Sequence, residues 1–320
     1  MHLVTRTLRR EHFSEVFRLC HPLISPGTPE AERVQLDWNT LWDHGYVLGL
    51  VIEDMAVQPA QVRGLMVTTF VRQEIYHEAK RAREPQLLKR LFARARAGED
   101  IFEKEANIGQ RNAEDGLTLL VCYIGWEGDD YRTEKAATLR SVVTNAYADR
   151  HSGFHLHSVI GEIGGPKLLD LANRIHLIML NSYDEWATQN NQLEAPKRPY
   201  LVGTDRHEAL LTENHWLTRL FTYMPPRFMF TPTQQQVLLL ARAGQTDNEI
   251  ADELNISLDA VKKRWSSIYV RAQEVLPGLL PEQPHIGRGV EKRRALLTHL
   301  RERPEELRPY VRDRHGRSSD

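Results

Sequence analysis

Only two cysteines, Cys20 and Cys122, occur in 320 residues. They stand far apart without CxxC spacing, which argues against a disulfide framework and a cysteine-ligated zinc site. No run approaches the roughly 18 apolar residues that a membrane-spanning helix needs, and Met1 to Glu11 carries no apolar signal core. A soluble, cytoplasmic chain with no membrane partner is the expectation. An excess of one charge is missing too. Lys and Arg number 42 against 43 Asp and Glu, a net charge of -1, so any nucleic-acid contact has to come from a local patch. No internal repeat at a solenoid period is present. What is present is 41% hydrophobic residues, enough for a sizeable core, over a length that suits about two domains.

Residues 1–223 read as an α+β sensory domain. Phe13, Val16, Phe17 and Cys20 fall at i, i+3, i+4 and i+7, the spacing of an amphipathic helix over 12–23 after a short first strand, and the prolines at 22, 26 and 29 end it. The β-rich runs 46–52 and 62–71 flank a polar turn near Gln58 and Pro59 and predict an antiparallel hairpin. Charged residues 72–114, with Pro85 and Gly98 as breaks, predict a surface helical insertion. Strands over 116–126, 154–163 and near 200–204 and helices over 134–147 and from Pro166 to about 180 complete the pattern, and 224–229 reads as a linker. The Arg-rich end, 304–320, is expected to be disordered.

The segment 230–303 is expected to be all-α. Thr231, Pro232 and Gln234 give a capping box with proline at the first helical position, and Gly244 ends that helix. Thr246 with Glu249 repeats the box, Asn255 suits a left-handed turn, and Ser257 caps a third helix. There Val261, Trp265, Ile268 and Tyr269 share one face at about 100° per residue. Lys263, Ser266 and Ser267 point away from that face, while Lys262, Arg264 and Arg271 flank it. After the prolines at 277, 281 and 284, an amphipathic helix around 289–300 either supports dimerisation or packs back on its own domain.

Thr231-Pro232, Glu249-Ile250-Ala251, Ile256-Ser257, Val261-Lys262 and Ile268-Tyr269 resemble the LuxR-type helix-turn-helix family. The likeness covers about 45 residues. Gln234-Gln235-Gln236 and Arg264 depart from the family pattern. The resemblance implies a recognition helix over 258–273 in the major groove of double-stranded DNA and a homodimer on paired half-sites. It puts Lys262, Lys263 and Ser266 at groove contacts and Thr246 and Arg271 at phosphates, with Ser257, Arg264 and Ser267 on the same surface.

In its order of elements the amino-terminal region is similar to the GNAT acyltransferase fold. That family's phosphate loop is approached only by Arg132-Thr133-Glu134-Lys135-Ala136-Ala137, where Lys135 replaces a glycine that lets backbone amides approach a diphosphate. Glu53-Asp54 lacks the βα alternation of a receiver domain. Trp38, Trp42, Asp43 and Tyr46 line either a small-molecule pocket or the core. His151, His155 and His157, with Glu162 the one carboxylate near them, do not make a metal site, and no nucleophile-base pair is legible. The expectation is therefore a sequence-specific transcriptional regulator, with no catalytic residue, cofactor or metal, whose first domain senses a small molecule or partner. The alternative is a GNAT-like acyltransferase fused to a DNA-binding module.

Overall fold

The computed structural model describes residues 1–21, 24–127, 133–211, 216–281 and 288–311. Seven strands form one sheet in the order β1-β2-β3-β4-β5-β7-β6. They are β1 (Leu3–Thr7), β2 (Val47–Asp54), β3 (Gln61–Val71), β4 (Leu117–Trp126), β5 (Leu156–Gly164), β6 (Ile178–Asn181) and β7 (Pro199–Asp205). Every neighbouring pair is antiparallel except β4 and β5, which run parallel. The expected hairpin is β2–β3, with Leu50 opposite Met66.

The central strands are apolar on both faces because helices cover both. On one face, Val51, Leu65 and Val67 join a core with residues of α1 (Phe13–Cys20), α2 (Pro29–His44), α3 (Glu74–Arg81) and α4 (Leu87–Arg96). On the other, Ile52, Met66 and Leu119 pack with α5 (Glu105–Ala113) and α6 (Glu134–His151). Short helices α7 (Pro166–Arg174), α8 (Asp184–Gln189), α9 (Arg206–Leu211) and α10 (Trp216–Phe221) complete this region, and Leu217, Leu220 and Phe221 of α10 enter the second core.

The insertion 72–114 is not the surface feature expected. Ile75, Tyr76, Leu87, Leu91, Phe92 and Ile108 are buried, because its charges occupy only the outward side of three amphipathic helices. Trp38 and Trp42, weighed as pocket residues, belong to the first core. Trp38 is buried and donates its indole N–H to Arg10 O at 3.0 Å. Asp43 pairs with Arg10, and Tyr46 stacks on Phe70.

Helices α11 (Pro232–Arg242), α12 (Asp247–Glu253), α13 (Leu258–Val275) and α14 (Arg288–Glu302) gather on a third core of Val237, Ile250, Val261, Trp265, Ile268 and Leu296. Thr231 and Thr246 form the capping boxes read from sequence, and Asn255 has φ 51°. Phe228, within the stretch read as a linker, is buried in this same core. The backbone N–H groups of Arg227 and Phe228 donate to the Glu306 carboxylate at 2.8 and 2.9 Å.

The helices are not a free-standing unit. Residues 304–311, expected to be disordered, fold back as a strap. Its 3-10 turn, Pro304–Leu307, buries Glu305, Glu306 and Leu307. Val311 N–H then donates to Gly109 O at 3.0 Å, and Asn112 donates to Pro309 O at 3.0 Å. Gly153 lies under the turn with φ 87°, and a Cβ there would stand 2.5 Å from the Pro304 carbonyl carbon. Only glycine fits that spot without strain. Polar composition suggested disorder, but the strap's buried groups find partners on α5, the end of α6 and the turn that follows it. Residues 312–320 lie outside the described residues.

Candidate functional site

The parallel pairing of β4 with β5 ends at Val121↔Gly161. Beyond it β4 continues to Trp126, held on its other edge by β3, and β5 continues to Gly164, held by β7. Among the described residues no pairing joins the two strands past that point, so they form a wedge whose facing backbone groups need other partners.

The wedge is bordered by the end of α1. Leu19 and Cys20 lie so close to β4 that a Cβ on Gly125 would stand 3.0 Å from Cys20 Sγ. His21 meets Tyr123 edge-on with ring centroids 5.5 Å apart, and its Nε2 is buried with no partner among the described residues. Burial lowers the His21 pKa, favouring the neutral ring. Burial also pushes the Cys20 thiol up to about 12 and raises that of Cys122 further. Neither thiol is an activated nucleophile.

At the mouth, Glu127 accepts from Arg63 and lies 3.7 Å from Lys135 Nζ and 3.8 Å from Arg18 Nη1. Arg18 also pairs with Glu15 at 2.7 Å and Arg63 lies 3.7 Å from Asp54, so the three cations are matched by three carboxylates, and each exposed pair stabilises by no more than about 1 kcal/mol. The first turn of α6 is closed from within, since Thr133 Oγ accepts the Ala136 N–H at 3.2 Å. Lys135, half exposed, occupies the position where a diphosphate cradle needs glycine. Arg132 lies outside the described residues.

On β5, Glu162 sits just past the last parallel pair. Its carboxylate accepts from Gln86 N and Leu87 N at 2.9 and 3.1 Å, at the start of α4, and from the Tyr183 hydroxyl at 3.3 Å. Burial and the Glu162 charge both raise the Tyr183 pKa. The pair holds the insertion on the sheet edge beside the wedge. Sequence reading missed it because Gln86 and Tyr183 are about 76 and 21 residues from Glu162, and nothing local marks either as its partner.

The histidines weighed for metal are dispersed. His151 is buried, with Nδ1 2.8 Å from Tyr147 O and Nε2 2.8 Å from Thr68 Oγ1. His155 stacks on Tyr223 at 4.6 Å. Among the described residues no group of three His, Cys, Asp or Glu side chains is placed to hold a metal. Glu53 pairs with Arg6 at 2.6 Å, and Asp54 accepts from His2 N and Ala56 N. These are strand-end contacts, not an acidic metal pocket.

The residues assigned to DNA from sequence are engaged mostly in the helices' own construction. Thr246 caps Glu249 N, and Ser257 caps Ala260 N. Ser266 Oγ donates to Lys262 O, while Ser267 Oγ accepts from Gln234 Nε2 at 2.5 Å. Arg271 Nε donates to Phe228 O at 2.6 Å. Arg264 is half-buried, Lys262 is exposed, and Lys263 pairs with Asp259 at 3.0 Å.

No family model and no curated protein matches the chain. Several solved structures are similar to it. The C-terminal condensation domain of Ebony in complex with beta-alanyl-dopamine is 15% identical, covering 63% of this chain and 98% of that one with a TM-score of 0.38. Mosquito arylalkylamine N-acetyltransferase like 5b is 14% identical, covering 63% and 99%, TM-score 0.35. Arabidopsis thaliana NAA60 in complex with acetyl-CoA is 12% identical, covering 63% and 98%, TM-score 0.35.

These findings correct the functional expectation. The similar structures include an arylalkylamine N-acetyltransferase-like protein, a condensation domain and an acetyl-CoA complex, and none of these three is a DNA-binding regulator. The reading as a DNA-binding transcriptional regulator, with 258–273 as a recognition helix, is set aside. The structure has the mixed sheet with helices on both faces that the resemblance to the GNAT fold implied. Among the described residues no helix is long and apolar enough to cross a membrane.

Proposed function

We propose that the chain is a GNAT-like acyltransferase that receives the extended arm of an acyl thioester in the wedge between β4 and β5. The observation that supports this reading is the end of parallel pairing at Val121↔Gly161, which leaves the edge of residues 122–126 facing away from β3 without a strand partner among the described residues. An amide-bearing arm can satisfy such an edge as an added strand does. The buried, unpartnered Nε2 of His21 offers one further polar contact there.

The diphosphate end of coenzyme A fits less well. Ala136 N–H is already taken by Thr133, and Lys135 crowds the approach that glycine gives in a phosphate cradle. The described residues thus suit a thioester arm and not a diphosphate nest.

The test is isothermal calorimetry on the full chain with acetyl-CoA and with S-acetylpantetheine. Saturable binding of both, within about tenfold of each other because the phosphates add little, supports the reading. If neither saturates at millimolar concentration, the reading fails.

A further inference from the structure

Arginines from four helices and the strap gather where the helical segment meets the end of α6. Arg219 of α10 pairs with the Asp149 side chain at 2.8 Å, and Arg308 of the strap donates Nη2 to the Asp149 carbonyl at 3.1 Å. Arg150 follows Asp149 on α6, and its Nε is buried with no partner among the described residues. Arg242, at the end of α11, is repelled by Arg219 and by Arg301 of α14, and it in turn repels Arg150 and Arg308. Asp149 is the one carboxylate that opposes this repulsion among the described residues.

The positive charge is only partly met within the fold. Arg150, Arg242 and Arg301 stand in the last turns of α6, α11 and α14, where a helix end offsets about half a unit charge. With Asp149, those three helix ends leave about two to three positive charges over. The donors that could meet an anion are open. Arg242 and Arg301 form no hydrogen bond or ion pair with a described residue. Arg301 and Arg219 are exposed, and no nitrogen of the half-buried Arg242 is sealed from solvent.

We propose that this seam binds a diphosphate group, held by the open guanidinium ends of Arg242, Arg301 and Arg219 above the charges of Arg150 and Arg308. Arginine suits the role because its planar fork matches phosphate oxygens. A diphosphate carries enough charge to balance the seam, which a single carboxylate does not. Its contacts join α11 and α14 to α10, so binding also fastens the helical segment to the sheet. Arg150 lies roughly 22 Å along α6 from Lys135 at the wedge mouth, so the site stands whether or not the chain transfers acyl groups.

Isothermal calorimetry on the full chain at constant ionic strength tests this, with inorganic pyrophosphate, a nucleoside diphosphate and acetate as probes. Saturable binding of at least one diphosphate and none of acetate is expected, and the tighter of the two diphosphates tells a free from a nucleotide-borne group. Arg242→Gln and Arg301→Gln should each weaken that binding by about threefold or more. Arg301 is exposed, so its substitution is safe for folding. Asp149→Asn should tighten binding, since the opposing carboxylate is gone and Arg219 is released. The proposal is overturned if neither diphosphate saturates at millimolar concentration, if acetate binds as well, or if folded Arg242→Gln and Arg301→Gln chains both bind as the parent does.

Discussion

The Arg308 guanidinium lies over the Phe154 ring, 4.7 Å from its centroid. It also donates Nε to Ser152 O at 2.9 Å and Nη2 to Asp149 O at 3.1 Å. The charge is buried with no carboxylate hydrogen-bonded to it among the described residues. Burial, then Arg242 and Arg150, pull its pKa down to about 9. The strap thus fastens the helical segment to the sheet through carbonyls and an aromatic face. Arg308→Ala should lower unfolding stability by about 2 kcal/mol or more, because two carbonyls lose their donor and the ring loses its cation. Urea denaturation measures this, and a change within error of zero contradicts the fastening role.

Glu162 holds the start of α4 with two backbone acceptor contacts. Glu162→Ala leaves those amides to water and should cost about 1–2 kcal/mol. Hydrogen exchange should show the loss as faster exchange at Leu87 and the residues that follow it. Unchanged exchange there would remove the anchoring role.

His151 gives a pH dependence with a definite sign. Burial pushes its pKa from 6.5 down to about 3, against the opposing hydrogen bond to Tyr147 O. The unfolded chain therefore takes up the proton first as pH falls. Stability is complete above about 6.5 and is lost progressively towards 3, by up to about 1.4 kcal/mol per pH unit. Thermal melts from pH 7.5 to 5 should show a falling midpoint, and His151→Gln should flatten that slope.

Arg271 and Lys263, about two turns apart on α13, should respond differently. Arg271 Nε donates to Phe228 O, so Arg271→Gln should cost about 1–2 kcal/mol. Lys263 is 80% exposed and pairs only along its own helix, so Lys263→Ala should change stability by less than about 0.5 kcal/mol. Equal losses in denaturant melts refute the distinction.

Local signals were legible in the sequence. Thr231 with Gln234 and Thr246 with Glu249 cap their helices because those bonds span three residues and need no distant partner. The runs at 61–71 and 117–126 are strands because β-branched and apolar residues favour that geometry wherever both faces are covered. Their order along the chain already resembled a GNAT-like domain. The motif at 230–269 gave its helices correctly, yet local helix geometry does not fix what a surface binds: Ser257, Ser266 and Ser267 stay exposed while bonding within the helices, and Arg271 reaches Phe228 O.

Tertiary structure decided the rest. Where β4 parts from β5, how Glu162 meets α4, how Arg219 reaches Asp149, and how Arg308 returns to Phe154 all join residues distant in sequence. Such contacts depend on the whole chain's burial and on which polar groups find partners once water is excluded. Sequence by itself determined the caps and most of the strands, whose causes lie within a few residues, but it ran the helix from Pro166 on to about 180, where α7 ends at Arg174 and β6 begins at Ile178. Only the packed fold determined the sites, because unpartnered edges and buried unpaired charges exist only after the chain has closed around them.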